Sequence, residues 1–162
     1  MTLTLDQDRD MLRHILASLS YRAAKTLRDV PASFSSFRLH PDSRTPVEIL
    51  SHMGDLFDWA LSIARGNESW HDSKAQEWNL EVARFFKALQ KFDACVSDGG
   101  AVASLFEKLF QGPIADAFTH VGQLAMLRRI SGAPIRGENY FVADIEIGRI
   151  GLEQSMPRRE FD

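Results

Sequence analysis

The sequence predicts an all-α protein: one domain over residues 1–162, folded as a four-helix bundle with an extra short helix and an extended C-terminal tail. Three observations carry that expectation. Four segments place large apolar residues at steps of three and four, the spacing that gathers side chains on one face of a helix. Between them stand helix starts and stops, among them Thr45-Pro46-Val47-Glu48, Gly66, Ser97-Asp98-Gly99-Gly100 and Gly132. At 162 residues and 44% hydrophobic content, the chain matches the size of one ordinary domain with its own core.

The first helix is expected from about Asp6 to Arg28, on the stripe Leu12, Leu16, Leu19, Ala23 and Leu27, widened by Met11 and Ile15. His14, Arg22 and Lys25 fall off the centre of the stripe and are expected on the solvated surface. Pro31 stops the helix, and a Ser- and Pro-rich linker runs from Val30 to Arg44. Its Phe34, Phe37 and Leu39 suggest that it packs over the bundle.

The second helix starts at Thr45, with Pro46 in the first helical position and Glu48 closing a capping box, and runs to about Arg65. His52 lies on the edge of its buried arc. By itself it reads as a core-edge histidine satisfied by a carbonyl or water. Ser73-x-x-Gln76 reads as a second capping box, opening a third helix on Trp78, Val82, Phe85, Leu89, Phe92 and Val96. Cys95 beside that seam reads as an inert thiol. After Gly100 a short helix is expected from Val102 to Phe110, then the last long helix from Pro113 to Ile130.

The last helix carries two stripes. Ile114, Phe118, Val121 and Ala125 form one, and Asp116, His120, Gln123 and Leu127 form the other. The second begins polar and ends apolar, and turning it to solvent would expose Leu124, Leu127 and Ile130 with it, so partial burial is expected. A carboxylate and an imidazole in a half-buried groove require compensation, from each other or from a divalent cation. A plain ion pair at i, i+4 near the start of a helix is the alternative.

Composition excludes several classes. There are 19 basic and 22 acidic residues, a formal net charge of -3, which argues against nucleic acid as a partner. A single cysteine leaves no disulfide framework and no multi-cysteine metal or redox motif, so a metal would use nitrogen and oxygen ligands. Neither a leader-like N-terminus nor a membrane-spanning apolar run is evident, and the chain reads as soluble and cytoplasmic.

The segments Arg44-Thr-Pro-Val-Glu-Ile-Leu-Ser-His52-Met and Asp116-Ala-Phe-Thr-His120-Val-Gly-Gln-Leu, with the helix order around them, resemble the DinB-like family of bacterial four-helix-bundle proteins over nearly the whole chain. That family carries a histidine on the second helix and an H-x-x-x-H pair on the last long one, and these three bind a divalent metal. The resemblance implies His52, Asp116 and His120 as ligands, with Asp116 where the family has histidine. Gln123 would orient His120 from outside the ligand set. Zinc or nickel is implied first, with manganese or iron admitted by the carboxylate.

Function is expected in one of two classes. Either the metal activates water or a low-molecular-weight thiol in a transferase or isomerase acting on a small molecule, as in similar thiol-dependent relatives, or the bundle is a non-catalytic, stress-related binding module. No catalytic base stands out in the sequence. The tail, residues 133–162, holds Tyr140, Phe141, Ile145, Ile147 and Ile150 and is expected to lie across the bundle or a partner in a homodimer, with Asp144 and Glu146 as surface carboxylates.

Overall fold

In the computed structural model, which describes residues 5–101 and 105–162, the chain is mostly helical. Helices α1 (Leu5–Leu27), α2 (Pro46–Ala64) and α3 (Trp78–Ser97) are followed by a one-turn α4 (Phe106–Leu109) and by α5 (Ala115–Ile130). The tail adds a 3-10 turn, Tyr140–Val142, and two short antiparallel strands, β1 (Gly137–Glu138) and β2 (Glu160–Phe161). The all-α expectation therefore holds for the body of the chain.

Helix α2 starts as its sequence dictates. The Thr45 hydroxyl accepts from the Glu48 amide, and the Glu48 carboxylate accepts from the Thr45 amide at 2.7 Å, so two otherwise orphaned N–H groups at the helix start are satisfied. Its apolar face, including Leu50, Met53, Phe57 and Ala60, is fully buried. Phe57 meets Phe85 and Phe92 of α3 with ring centroids 5.9 and 6.0 Å apart, each such pair contributing about 1 kcal/mol beyond area burial.

Contacts along the helices fix their directions. Arg84 of α3 reaches Ser51 and Asp55 of α2, while Phe92 meets Phe57, so α2 and α3 run the same way and the connection of residues 65–77 crosses back along α2. Arg13 near the start of α1 is paired with Asp93 near the end of α3, which sets those two antiparallel. At the far end of α1, the buried Arg128 of α5 donates to the carbonyls of Thr26, Arg28 and Ala133. That one guanidinium closes the C-terminal end of α1 onto the end of α5.

Several expectations are corrected. Met11 does not widen the core stripe: it is 55% exposed, one position off the buried face held by Leu12. Arg22 and Lys25 are not free surface residues. Arg22 lies over the Tyr140 ring, 3.9 Å from its centroid, and Lys25 donates to Glu138 and Glu160, both at 2.7 Å. The tail recruits them, which spacing along α1 could not reveal.

The second capping box does not form. Helix α3 starts at Trp78 behind Glu77, which makes no side-chain cap, because the Ser73 amide and hydroxyl both donate to Asp55 on α2. The last helix does not begin afresh at Pro113 either. The backbone passes from α4 through a π-helical segment, Phe110–Ile114, into α5. Proline lacks an N–H and its ring crowds the preceding turn, and the wider π turn lets the helix continue past it. Of the expected helix from Val102 to Phe110, residues 102–104 lie outside the described residues.

The tail packs on the bundle. Ile150 is buried, its carbonyl accepts from Gln90 of α3, and the Gly151 amide donates to Ser20 of α1. Asp144 and Glu146 pair with Arg158 and Arg149, both at 2.6 Å. Among the described residues no helix is long and apolar enough to cross a membrane.

Candidate metal centre

Helices α2 and α5 run antiparallel and bring His52 opposite Asp116 and His120. His52 Nε2 lies 3.5 Å from Asp116 Oδ2, and His120 Nε2 lies 3.4 Å from Asp116 Oδ1. The two imidazoles meet edge to face with centroids 5.0 Å apart. One ligand atom from each of the three residues falls within 4.8 Å of the other two. The partial burial expected of this stripe is present: His120 is buried, Asp116 half-buried and Leu124 and Leu127 buried, whereas Ile130 is 48% exposed.

These separations exceed the roughly 2.7–3.2 Å of a direct hydrogen bond. Each is close to the edge of about 3.4 Å between two ligands that sit about 2.1 Å from a common tetrahedral ion, although the two run to different oxygens of Asp116. A donor set of two imidazole nitrogens and one carboxylate suits a divalent transition metal. His52 is held below the usual histidine range by burial, then by the charges of Arg44 and His120, with Asp116 acting in the opposite direction. Its imidazole is therefore neutral near pH 7, the form that offers a lone pair to a cation.

Gln123, exposed one turn beyond His120, places its amide oxygen 2.8 Å from His120 Nδ1. An oxygen there accepts the Nδ1 proton, which leaves the lone pair on Nε2, the nitrogen that faces Asp116. Around His52, the Trp70 ring stands edge-on at 5.7 Å and is itself backed by Trp59 at 5.8 Å. Trp70 comes from the crossing loop, so no helical spacing pointed to it.

A second group, Asp55, Asp58 and His71, also brings ligand-type atoms together. Here a cation is already supplied by the chain. Arg84 Nη1 lies 2.9 Å from Asp55 and 3.7 Å from Asp58, and Arg84 Nε is 2.8 Å from the buried Glu81. Burial opposes the Asp55 charge, but the Ser73 amide and hydroxyl and the Arg84 guanidinium outweigh it and hold the carboxyl below its usual range. The cluster is thus a compensated polar network that ties the crossing loop to α2 and α3.

Two openings meet at the triad. His52 borders a polar cleft of about 530 Å³, whose walls include Arg38, Arg44, Ser51 and Lys74. His120 borders a mainly apolar groove of about 440 Å³ along α5, where Gln123, Met126, Leu127 and Ile130 follow it at helical spacing. Ser43 and Arg44 line both. The triad is thus half-buried yet reachable, as a ligand set with exchangeable positions must be.

Comparison of the chain with protein-family models, curated proteins and solved structures gave no match.

Proposed function

We propose that His52, Asp116 and His120 hold a divalent cation, zinc or nickel before manganese or iron, and that the protein is a metal-dependent transferase or isomerase acting on a small molecule. The observation that supports this best is the pair of Nε2-to-carboxylate separations, 3.5 and 3.4 Å, too long for direct hydrogen bonds and suited to ligands around one ion. When bound, such a cation supplies Lewis acidity that lowers the pKa of water or a low-molecular-weight thiol.

The chain's own residues set the rest. Asp116 offsets positive charge between the two imidazoles, and Gln123 holds the His120 ring through its Nδ1. Trp70, backed by Trp59, stands edge-on against the His52 ring, and the cleft and groove provide two directions of approach. The same reading places the bundle in the DinB-like type, as a cytoplasmic homodimer. It draws on the histidine of the second long helix facing an Asp-x-x-x-His pair on the last.

Metal analysis of the purified protein tests the ligand set. Wild type is expected to hold about one divalent ion per chain and His120→Ala to lose it. Full occupancy in His120→Ala would falsify the assignment. A screen of the loaded protein with thiols and electrophiles tests turnover, and stoichiometric metal with no turnover would favour the non-catalytic binding module.

A further inference from the structure

The groove along α5 combines three features. Its walls are largely apolar, with Leu39, Met126 and Ile130 about half exposed, 56%, 56% and 48%, beside Ile49 and Leu127. It contains a single formally charged side chain, Arg44, and no carboxylate. It ends on His120, one of the three residues of the candidate metal centre.

Arg44 is unusual among the arginines close to it. Arg38 is engaged with Glu48 and with the carbonyls of Ser43 and Pro41, and Arg84 is engaged with Asp55 and Glu81. Arg44 is exposed and makes no hydrogen bond and no ion pair among the described residues; the Glu48 carboxylate, on the side of the polar cleft, feels its charge without pairing with it. Its position is nevertheless fixed at the backbone, because the next residue, Thr45, is the N-cap of α2. An unpaired guanidinium at the edge of an apolar channel recognises an anion that carries an apolar body. The span from His120 to Ile130, ten residues of helix, is about 15 Å, enough for an extended medium-length chain.

We infer that this groove binds an apolar monocarboxylate, its carboxylate paired with Arg44 and its hydrocarbon body against Met126, Leu127 and Ile130. This defines the substrate class for the reaction proposed above, and its functional meaning rests on that reading. The binding itself does not require the metal. Charge complementarity favours this occupant over a neutral apolar molecule, which gains nothing from Arg44, and over a dicarboxylate, whose second charge would lie against Leu127 and Ile130.

Calorimetric titration of the full chain with octanoate, 1-octanol and acetate tests the inference, on metal-loaded protein and on protein stripped with chelator. Stripped protein is expected to bind octanoate at least tenfold more tightly than either other probe. Arg44→Gln is expected to weaken octanoate about ten- to hundredfold and leave 1-octanol unchanged, as for loss of a hydrogen bond to a charged group. Arg44→Lys should restore part of the loss. Met126→Glu, at a position already exposed, should abolish octanoate binding without altering the melting temperature. No octanoate binding to either form overturns the proposal, as do equal affinities for octanoate and 1-octanol or an Arg44→Gln protein that binds octanoate as wild type does. Octanoate binding confined to the metal-loaded protein, insensitive to Arg44, also overturns it, since the carboxylate would then be seeking the ion. Metal content, measured on the same samples, reports separately on the ligand set.

Discussion

At the scale of single residues, Gly54 and Gln123 make the sharpest demands. Gly54 lies in α2 directly under the Arg84 guanidinium, and a Cβ there would sit 2.7 Å from Arg84 Cζ. A flexible arginine could normally swing aside. This one is held by Glu81, Asp55 and Ser51, so displacing it breaks up a half-buried network. Gly54→Ala is therefore expected to destabilise the protein by about 1–3 kcal/mol despite the better helix propensity of alanine, measurable by urea unfolding. An unchanged midpoint would show that Arg84 relaxes at no cost. For Gln123, removal of the acceptor frees the His120 ring to choose either tautomer. Gln123→Leu should weaken metal affinity about ten- to hundredfold while leaving the fold intact, and competition with a chromogenic chelator measures it. Helical spacing put Asp116 and His120 on one stripe, while His52 joined them in the sequence reading only through the family resemblance, since on its own helix it reads as a core-edge histidine. The sequence did not show that Asp55, three residues past His52, has its own cation, because Arg84 arrives from another helix.

At the scale of elements, the capping box that starts α2 sets the position of Arg44 and the entrance to both openings. The folded protein holds Glu48 below the usual carboxylate range, chiefly through the Thr45 amide, then through the Thr45 hydroxyl. A carboxylate with a depressed folded pKa contributes stability that is present above its unfolded pKa and is lost as pH falls through the folded one. Glu48→Gln should accordingly lower the melting temperature at about pH 7, and the gap to wild type should close towards about pH 3. A gap independent of pH would mean that the charge of Glu48 plays no part. Thr45→Ala should cost about 1 kcal/mol. The same pair of elements shows where local reading works and where it stops. Thr45 and Glu48 lie within one turn and find each other as the sequence implies. Ser73 and Gln76 have equivalent spacing, yet Ser73 is captured by Asp55 eighteen residues away, and the Gln76 amide donates to Glu81. Pro113 likewise marked an interruption correctly, but whether proline begins a helix or sits in a π turn depends on what precedes it.

At the scale of the whole molecule, the tail is joined to the bundle by a buried polar knot as well as by apolar contacts such as Ile150 and Leu152. Glu138, fully buried at its side chain, accepts from Tyr21 Oη at 2.6 Å and from Lys25 Nζ at 2.7 Å, and Glu160 of the paired strand takes a second bond from Lys25. Burial, then the bond to Glu138, pushes Tyr21 well above the usual tyrosine range. The tail's apolar residues remained legible as a segment that must pack, but its anchor did not, since Lys25 and Glu138 are separated by 113 positions. The knot yields a test of how the tail is held. Glu138→Ala strands the buried Tyr21 hydroxyl and leaves Lys25 with Glu160 as its remaining carboxylate, so it is expected to cost about 1–3 kcal/mol. Replacing the pair with apolar side chains of similar volume, Lys25→Met with Glu138→Leu, removes the half-neutralised lysine, leaves Glu160 to Arg136 and should recover part of the loss, short of the bond to Tyr21. Chemical denaturation of the two single variants and the double variant measures the coupling. Additive losses would mean that Lys25 is held by Glu160 alone and that the Lys25–Glu138 contact contributes nothing to closing the tail over α1.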